Sequence, residues 1–261
     1  MQFLMQEETN ISSLVLAEKP KREEEKTAKI VEEIENLLKS SDLVDSQDVT
    51  TLTTQHNDAN KDSCCATPIR SHTPVPGISQ LLPNLFLCGA GVALPAILDQ
   101  LAIRFVINVA PELPDTPLSS VSKPLYLRVN AFDKPDVDLS AHFTEVADMI
   151  EEVRQHGGKS LVHCVAGVSR SATLCIAYLM RHMAMSLREA YLHVKAIRPQ
   201  IRPNSGFFEQ LRLYELQLRG SSSVQLVYFE SLGKEIPDVY EPEYRAMEDF
   251  YQRHRNALKR R

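Results

Sequence analysis

One short segment of this 261-residue chain combines a nucleophile with groups that bind phosphate. Residues 161–171 read LVHCVAGVSRS, which predicts an apolar strand, a loop that begins at Cys164, and the start of an apolar helix. Free N–H groups and the dipole at a helix N-terminus stabilise an anion, so they favour the thiolate of Cys164. Arg170 follows after five intervening residues and can clamp two phosphate oxygens. The pattern predicts nucleophilic attack on a bound phosphate.

The backbone after Cys164 must curl around one tetrahedral phosphate for this chemistry to work. Gly167, in the middle of the loop, allows a turn that a Cβ atom would hinder. We therefore predict that phosphate is bound by Val165, Ala166, Gly167, Val168, Ser169 and Arg170.

The elements that must position this loop are short apolar runs alternating with helical patterns. Strands are predicted at 84–88, 105–109, 125–129 and 160–163. Helices are predicted at 93–100, from a capping Ser140 to Gly157, and at 173–183, 187–197 and 205–218. This alternation indicates an α/β fold of three layers, in which helices flank a mostly parallel central sheet.

Composition divides the chain into three parts. Residues 1–75 are polar and predicted to be largely disordered, with a possible short helix at 21–39. The sequence PVPG at 74–77 marks a boundary, and residues 76–220 form the predicted catalytic domain. Residues 221–261 form a C-terminal extension with one predicted strand, 224–229, and a basic end.

The central segment resembles the His-Cys-x5-Arg-Ser signature of the cysteine-dependent protein tyrosine phosphatases. The string AGVSRSAT at 166–173 is similar to the dual-specificity branch, as are RPN at 202–204 and GF at 206–207. The resemblance spans about residues 77–240 and is closest to the small atypical dual-specificity phosphatases. It implies a protein tyrosine phosphatase-like fold, hydrolysis of phosphotyrosine and phosphoserine/phosphothreonine through a phosphocysteine, and no cofactor or metal.

The resemblance also requires a general acid on another loop, for which the sequence offers Asp133, Asp136 and Asp138. Asp133 follows the strand predicted at 125–129 and falls on the acid position of the family, so we expect it to be the acid. Loop polarity or helix capping explains Asp136 and Asp138.

Asn204 resembles the family residue that braces the phosphate-binding loop. In the mechanism that the resemblance implies, Ser171 donates a hydrogen bond that stabilises the sulfur when it leaves, and His163 orients the loop rather than transferring a proton.

Charge and cysteine content exclude several other classes. A formal net charge of −5 argues against a nucleic-acid-binding protein, and the sequence contains no apolar run of the roughly 18 residues that span a bilayer. Five cysteines without a secretory signal indicate a reducing compartment, hence a cytoplasmic and also nuclear location. Cys88 and Cys175 are expected to be buried and inert, and Cys64 and Cys65 to be incidental.

The absence of charged side chains between Cys164 and Arg170 indicates the class of substrate. The variable positions of the loop, 165, 166, 168 and 169, are neutral, which favours phosphoproteins over phosphoinositides; RNA 5′-phosphates are a further alternative. A phosphoprotein-binding module without turnover is disfavoured because Cys164 and Arg170 are both present. A rhodanese-type sulfur-transfer domain is disfavoured by Ser171 and Asp133.

The expected partners are phosphoproteins, among them MAP kinases or their regulators. Residues 14–22 place three apolar side chains beside a basic cluster, the composition of a kinase-docking peptide, although chance occurrence in a charged arm is the favoured explanation. The sequence leaves the oligomeric state open.

Overall fold

The computed structural model describes residue 32 and residues 75–258 of the chain. The predicted disordered arm, its helix at 21–39, the docking-peptide segment and Cys64 and Cys65 lie outside the described residues, apart from Glu32.

A five-stranded sheet forms the centre of the described domain. Its strands are β1 (Ser79–Leu82), β2 (Leu85–Gly89), β3 (Phe105–Asn108), β4 (Leu125–Arg128) and β5 (Ser160–Cys164). The strand order is β1-β2-β5-β3-β4, and every pairing is parallel except that of β1 with β2. The predicted α/β fold with a mostly parallel central sheet is therefore confirmed.

The inner strands explain why this sheet forms. Every residue of β3 and β5 is buried, and β2 is buried up to its last residue, as expected for strands covered by helices on both faces. The pairings of Gly89 with Cys164 and of Asn108 with His163 bring the carboxyl ends of these strands to one edge.

Helices surround the sheet close to where the sequence predicts them. They are α1 (Pro95–Gln100), α2 (Phe143–Gln155), α3 (Arg170–His182), α4 (Leu187–Ile197) and α5 (Ser205–Arg219), followed in the extension by α6 (Glu241–Leu258). A capping box of Ser186 and Glu189 begins α4, and the left-handed Gly220 ends α5. The first eleven residues of α3 are buried, so this helix is the central one.

One local prediction is wrong. Ser140 does not cap α2: a 3-10 turn, Ser140–His142, comes first, and α2 begins at Phe143. The carboxylate of Asp138 performs the capping instead, because it accepts from the Ser140 hydroxyl (2.7 Å) and the Ala141 N–H (3.3 Å).

The extension holds more structure than the single predicted strand. Strand β6 (Leu226–Phe229) pairs antiparallel with β7 (Lys234–Pro237), and a 3-10 turn, Asp238–Tyr240, leads into α6. The sequence signal for β7 was weak because its residues, KEIP, include two charges and a proline. Helix α6 was missed because charged residues dominate it and leave only a narrow apolar stripe.

Buried polar contacts attach the extension to the catalytic domain. The Glu215 carboxylate is fully buried and accepts from the N–H groups of Leu187 (2.7 Å) and Ser223 (2.8 Å) and from the Ser223 hydroxyl (2.7 Å). Arg188 donates to the Ser223 carbonyl (2.9 Å) and to Asp238 (2.5 Å). The start of the extension is thus held against α4 and α5. Among residues 75–258, no helix has the length and apolarity needed to cross a membrane.

Candidate active site

The chemically important side chains converge on the carboxyl edge of the parallel strands. Cys164 is the last residue of β5, Glu112 lies in the connection after β3, and Asp133 follows β4. Ligand sites of open α/β sheets lie at this edge because the loops that follow adjacent strands meet there. The fold itself therefore brings together residues that are distant in sequence.

The loop after β5 curls around the thiol of Cys164, which is buried. Its Sγ accepts hydrogen bonds from the Gly167 N–H (3.3 Å) and the Ser171 hydroxyl (3.1 Å). Gly167 has a φ of +67°, and a Cβ atom there would lie 2.4 Å from the Cys88 carbonyl oxygen. Only glycine fits this position, as the sequence suggested, and the contact predicted for Ser171 is present.

A second arginine holds the loop from beneath. The buried Arg198 guanidinium donates to the carbonyls of Gly167 (2.7 Å), Ala166 (3.1 Å) and Gly77 (3.0 Å). These bonds fix the carbonyl groups of Ala166 and Gly167 on the side of the loop that faces Arg198. The Val168 carbonyl accepts from the N–H of Arg202 (2.9 Å).

Arg170, the predicted phosphate clamp, is only 3% exposed and is paired with Glu112. Its Nη1 and Nη2 atoms donate to the two carboxylate oxygens at 2.8 and 2.6 Å, and Nη1 also donates to the Ala131 carbonyl (3.2 Å). These hydrogen bonds hold the pKa of Glu112 below its ordinary value. The buried Nε forms no hydrogen bond with any described residue. It is therefore a donor that an oxyanion can satisfy.

Asp133 is bonded directly to the phosphate-binding loop. Its Oδ1 accepts from the hydroxyl of Ser169 (2.7 Å) and from Nδ2 of Asn204 (2.8 Å). Its Oδ2 lies 3.8 Å from the Arg170 Nε atom. Of the three predicted acid candidates, Asp133 is thus the one that hydrogen-bonds the loop, whereas Asp138 caps the turn before α2.

Asn204 performs two functions at once. Its Oδ1 accepts from the Phe207 N–H (3.0 Å) and so caps α5, while its own N–H donates to the Ser169 hydroxyl (3.2 Å). The expectation that Asn204 braces the loop agrees with this geometry, and its bond to Asp133 adds a link that the sequence did not suggest.

His163 lies behind the loop rather than within it. It is 2% exposed, its Nε2 is 2.7 Å from the Thr116 hydroxyl, and its Nδ1 is 3.4 Å from the Cys164 carbonyl oxygen. Burial lowers the pKa of His163, so the ring is neutral near pH 7. This arrangement suits the predicted orienting role.

The other two described cysteines, Cys88 and Cys175, are buried thiols. Burial raises the pKa of Cys88 to about 12 and also raises the pKa of Cys175. Both thiols therefore stay protonated near pH 7. Within the described part of the chain, no group of three or more His, Cys, Asp or Glu residues is arranged to hold a metal ion.

The rim of the loop is neutral and partly apolar. Val165 is 43% exposed, and Phe132, next to Asp133, is 52% exposed. Ala166 is also exposed, whereas Gly167, Ser169 and Arg170 are buried. The exposed members of the predicted binding set are thus uncharged, and its one charged group, the Arg170 guanidinium, is buried.

Three supporting residues escaped prediction from the sequence: Glu112, Thr116 and Arg198. A carboxylate shortly after a buried parallel strand was the signal for Glu112, because such positions lie at the ligand edge of the sheet. Arg198 was seen only as part of the family motif, and nothing local in the sequence identifies its buried partners.

Comparisons with known proteins agree with this geometry. The family model described as "Dual specificity phosphatase, catalytic domain" matches residues 85–217. Dual specificity protein phosphatase 18 of Pongo abelii is 44% identical over 70% of this chain and 96% of its own length. Dual specificity protein phosphatase 14 of Mus musculus is 44% identical over 69% of this chain and 89% of its own length.

Solved structures give the same result. The crystal structure of human DUSP28 superposes with a TM-score of 0.52 at 38% identity, covering 56% of this chain and 97% of that one. The match to the family model runs from β2 to α5. It therefore includes Cys164, Arg170 and Asp133, the residues that meet at the edge of the sheet. The chain belongs to the dual-specificity protein phosphatases, enzymes that dephosphorylate tyrosine, serine and threonine in proteins, and it resembles their atypical members.

Proposed function

We propose that this chain hydrolyses phosphotyrosine and phosphoserine/phosphothreonine in proteins through a phosphocysteine intermediate. The observation that supports this most is that one loop connects every reacting group. Cys164 begins the loop, Arg170 ends it, and the Ser169 hydroxyl between them donates to Asp133 at 2.7 Å. Nucleophile, phosphate ligand and acid are therefore held in one hydrogen-bonded unit.

In the first step, the Cys164 thiolate attacks phosphorus while the bond to the ester oxygen breaks. The electron pair of that bond goes to the leaving oxygen, which takes a proton from Asp133. We assign the proton to Oδ2, because Oδ1 already accepts the two hydrogen bonds from Ser169 and Asn204. The Arg170 Nε, which forms no hydrogen bond with any described residue, and the loop N–H groups bind the equatorial oxygens.

In the second step, water attacks the phosphocysteine and gives a proton to the Asp133 carboxylate. The P–S bond breaks, inorganic phosphate leaves, and the electron pair returns to the sulfur of Cys164. The Ser171 hydroxyl (3.1 Å) and the Gly167 N–H (3.3 Å) stabilise the thiolate as it forms. The role of Ser171 is therefore to stabilise the leaving thiolate in the second step.

Phosphoproteins fit the rim better than multiply charged small ligands do. The exposed residues of the loop, Val165 and Ala166, carry no charge, and the exposed Phe132 offers apolar surface beside the acid. A polyphosphorylated headgroup needs additional cations, whereas a peptide side chain needs one phosphate site and an apolar rim.

We further propose that the substrates include MAP-kinase-pathway signalling proteins in the cytoplasm and nucleus. The family resemblance is what supports this proposal, together with the docking-like composition of residues 14–22. Deletion of residues 1–70 is expected to weaken binding to a MAP kinase, measured by titration calorimetry, while activity on p-nitrophenyl phosphate stays unchanged. Equal binding by both forms for every MAP kinase tested contradicts the docking role.

The covalent mechanism is tested by Cys164→Ser. The variant should fold normally, because serine retains the size of the side chain, and turnover of p-nitrophenyl phosphate should be lost, because the hydroxyl is a far weaker nucleophile. Cys175→Ala, a buried thiol away from the substrate, is the matched control and should retain activity. More than a few per cent of wild-type activity in purified Cys164→Ser excludes the proposed nucleophile.

The acid assignment is tested by pH. The rate should rise as Cys164 ionises and fall as Asp133 loses its proton, which gives a bell-shaped profile. Asp133→Ala should remove the descending limb and lower turnover of phenyl phosphate by roughly 10²–10⁴-fold, with a smaller loss for an acidic leaving group. Asp136→Ala, an exposed carboxylate on the same loop, is the control. If Asp136→Ala removes the limb and Asp133→Ala does not, the assignment is wrong.

The pair of Arg170 and Glu112 is tested by Glu112→Gln. The neutral amide cannot hold both guanidinium nitrogens as an anion does, so kcat/KM should fall by about tenfold. Because Arg170 lowers the pKa of Glu112 in the folded state, the stabilisation by the carboxylate is present above about pH 4.3 and is lost as pH falls further. Thermal unfolding of the variant and wild type should therefore differ at pH 7 and converge under acid.

The control for this pair is Glu209→Gln, which removes an exposed carboxylate from its ion pair with Arg212 on α5. It should change neither kcat/KM nor the unfolding temperature appreciably. A rise in kcat/KM for Glu112→Gln contradicts the positioning role, since it means that Glu112 competes with phosphate for the guanidinium.

A further inference from the structure

The C-terminal extension returns to the site through one buried tyrosine. Tyr240 lies beyond residues 85–217, the part that matches the family model. It is 4% exposed, and its hydroxyl donates to the Pro203 carbonyl at 3.0 Å. Its ring packs edge-to-face on Tyr191 and Phe208, with centroid distances of 5.4 and 5.0 Å. The ring is thus fixed independently of its hydroxyl.

The residue after Pro203 connects this contact to the acid. Asn204 donates from its side chain to Asp133 (2.8 Å) and from its backbone to Ser169 (3.2 Å), and Ser169 itself donates to Asp133 (2.7 Å). The carbonyl that Tyr240 binds and the N–H that binds Ser169 belong to one peptide group, which is planar and rigid. A movement of this peptide therefore moves both donors to Asp133.

Neighbouring contacts clamp the same segment between the loop and the extension. The N–H of Arg202 donates to the Val168 carbonyl (2.9 Å), and its guanidinium lies 4.9 Å from the ring centroid of Tyr244 on α6. Lys195 donates to the Ile201 carbonyl (3.0 Å) and to Glu243 (2.5 Å). Residues 201–204 thus contact the phosphate-binding loop on one side and the extension on the other.

The first turns of α5 also hold the acid loop directly. A Cβ atom on Gly206 would lie 1.9 Å from the Pro135 carbonyl oxygen, so the two backbones are in close contact. The Gln210 side chain accepts from the N–H groups of Leu139 and Ser140, both at 2.9 Å, and donates to the Val137 carbonyl at 2.8 Å. The position of α5 therefore sets the position of residues 133–140.

We propose that Tyr240 is a positioning residue for the general acid, acting through the peptide of Pro203 and Asn204. This inference rests on the proposed function, in which Asp133 is the acid. The extension then contributes to catalysis without touching substrate. Loss of the hydroxyl leaves the Pro203 carbonyl without this donor, and Asn204 can then shift by a few tenths of an ångström relative to Asp133, enough to disturb proton transfer.

The test is Tyr240→Phe, assayed on two aryl phosphates whose leaving groups differ in acidity. Phenyl phosphate has a poor leaving group and needs the acid, whereas p-nitrophenyl phosphate needs it much less. We expect kcat/KM on phenyl phosphate to fall by roughly 3–10-fold and that on p-nitrophenyl phosphate by less than about twofold. A merely structural role would lower both rates equally, because it would reduce only the fraction of folded enzyme.

Tyr191→Phe is the matched control. It removes a hydroxyl from the same aromatic cluster, and that hydroxyl forms no hydrogen bond with any described residue. This variant should leave the ratio of the two rates unchanged. The unfolding temperature of Tyr240→Phe should fall by about 2–4 °C, as expected for one lost hydrogen bond in a domain of this size, so both variants can be assayed fully folded.

The double variant Asp133→Ala/Tyr240→Phe separates the possible outcomes. If Tyr240 acts through the acid, adding Tyr240→Phe to Asp133→Ala should not change the ratio further. A selective loss with Asp133→Ala but an unchanged ratio with Tyr240→Phe overturns this inference and leaves the acid assignment standing. No selectivity with Asp133→Ala overturns the acid assignment, and the inference with it.

Discussion

A guanidinium group taken out of water must be paired, and this constraint organises the site. Arg170 is 3% exposed, so the cost of burying its charge has to be offset by an anion and by hydrogen bonds. Glu112 supplies the anion through two bonds, and the Ala131 carbonyl supplies a further acceptor. The pairing fixes the plane of the guanidinium and leaves Nε beside Asp133. The most flexible side chain of the loop is therefore already ordered by contacts within the protein.

The parallel sheet makes that pairing possible. Strands β3, β4 and β5 end at one edge, so the connections that carry Glu112 and Asp133 meet the loop that carries Arg170. A second buried arginine, Arg198, binds loop carbonyls from the opposite side. Arg198 thus fixes the carbonyl groups of Ala166 and Gly167, while the Gly167 N–H donates to the Cys164 thiol. Catalytic geometry here depends on contacts between elements rather than on the loop alone.

Helix α5 joins the loop, the acid and the extension into one structure. Its N-cap, Asn204, bonds Asp133 and Ser169, its first turn lies against Pro135, and Gln210 binds the backbone of the acid loop. At its other half, Glu215 binds the start of the extension. The extension then returns to the N-cap region, where the Tyr240 hydroxyl donates to the carbonyl of Pro203, the residue before Asn204. The extension, which lies outside the catalytic motif, is in this way connected to Asp133.

The sequence by itself determined the features that are local. Apolar runs specified β2 to β5, helical periodicity specified α2 to α5, and the spacing from Cys164 to Arg170 with Gly167 between them specified a phosphate-binding loop. The tertiary structure alone decided which distant groups complete it: Glu112 on Arg170, Arg198 under the loop, and Asn204 on Asp133. It also decided the secondary structure of the extension, because the sequences of β7 and α6 have only weak apolar periodicity. Periodicity and spacing act within a segment, whereas the pairing of buried charges and carbonyls depends on how segments pack.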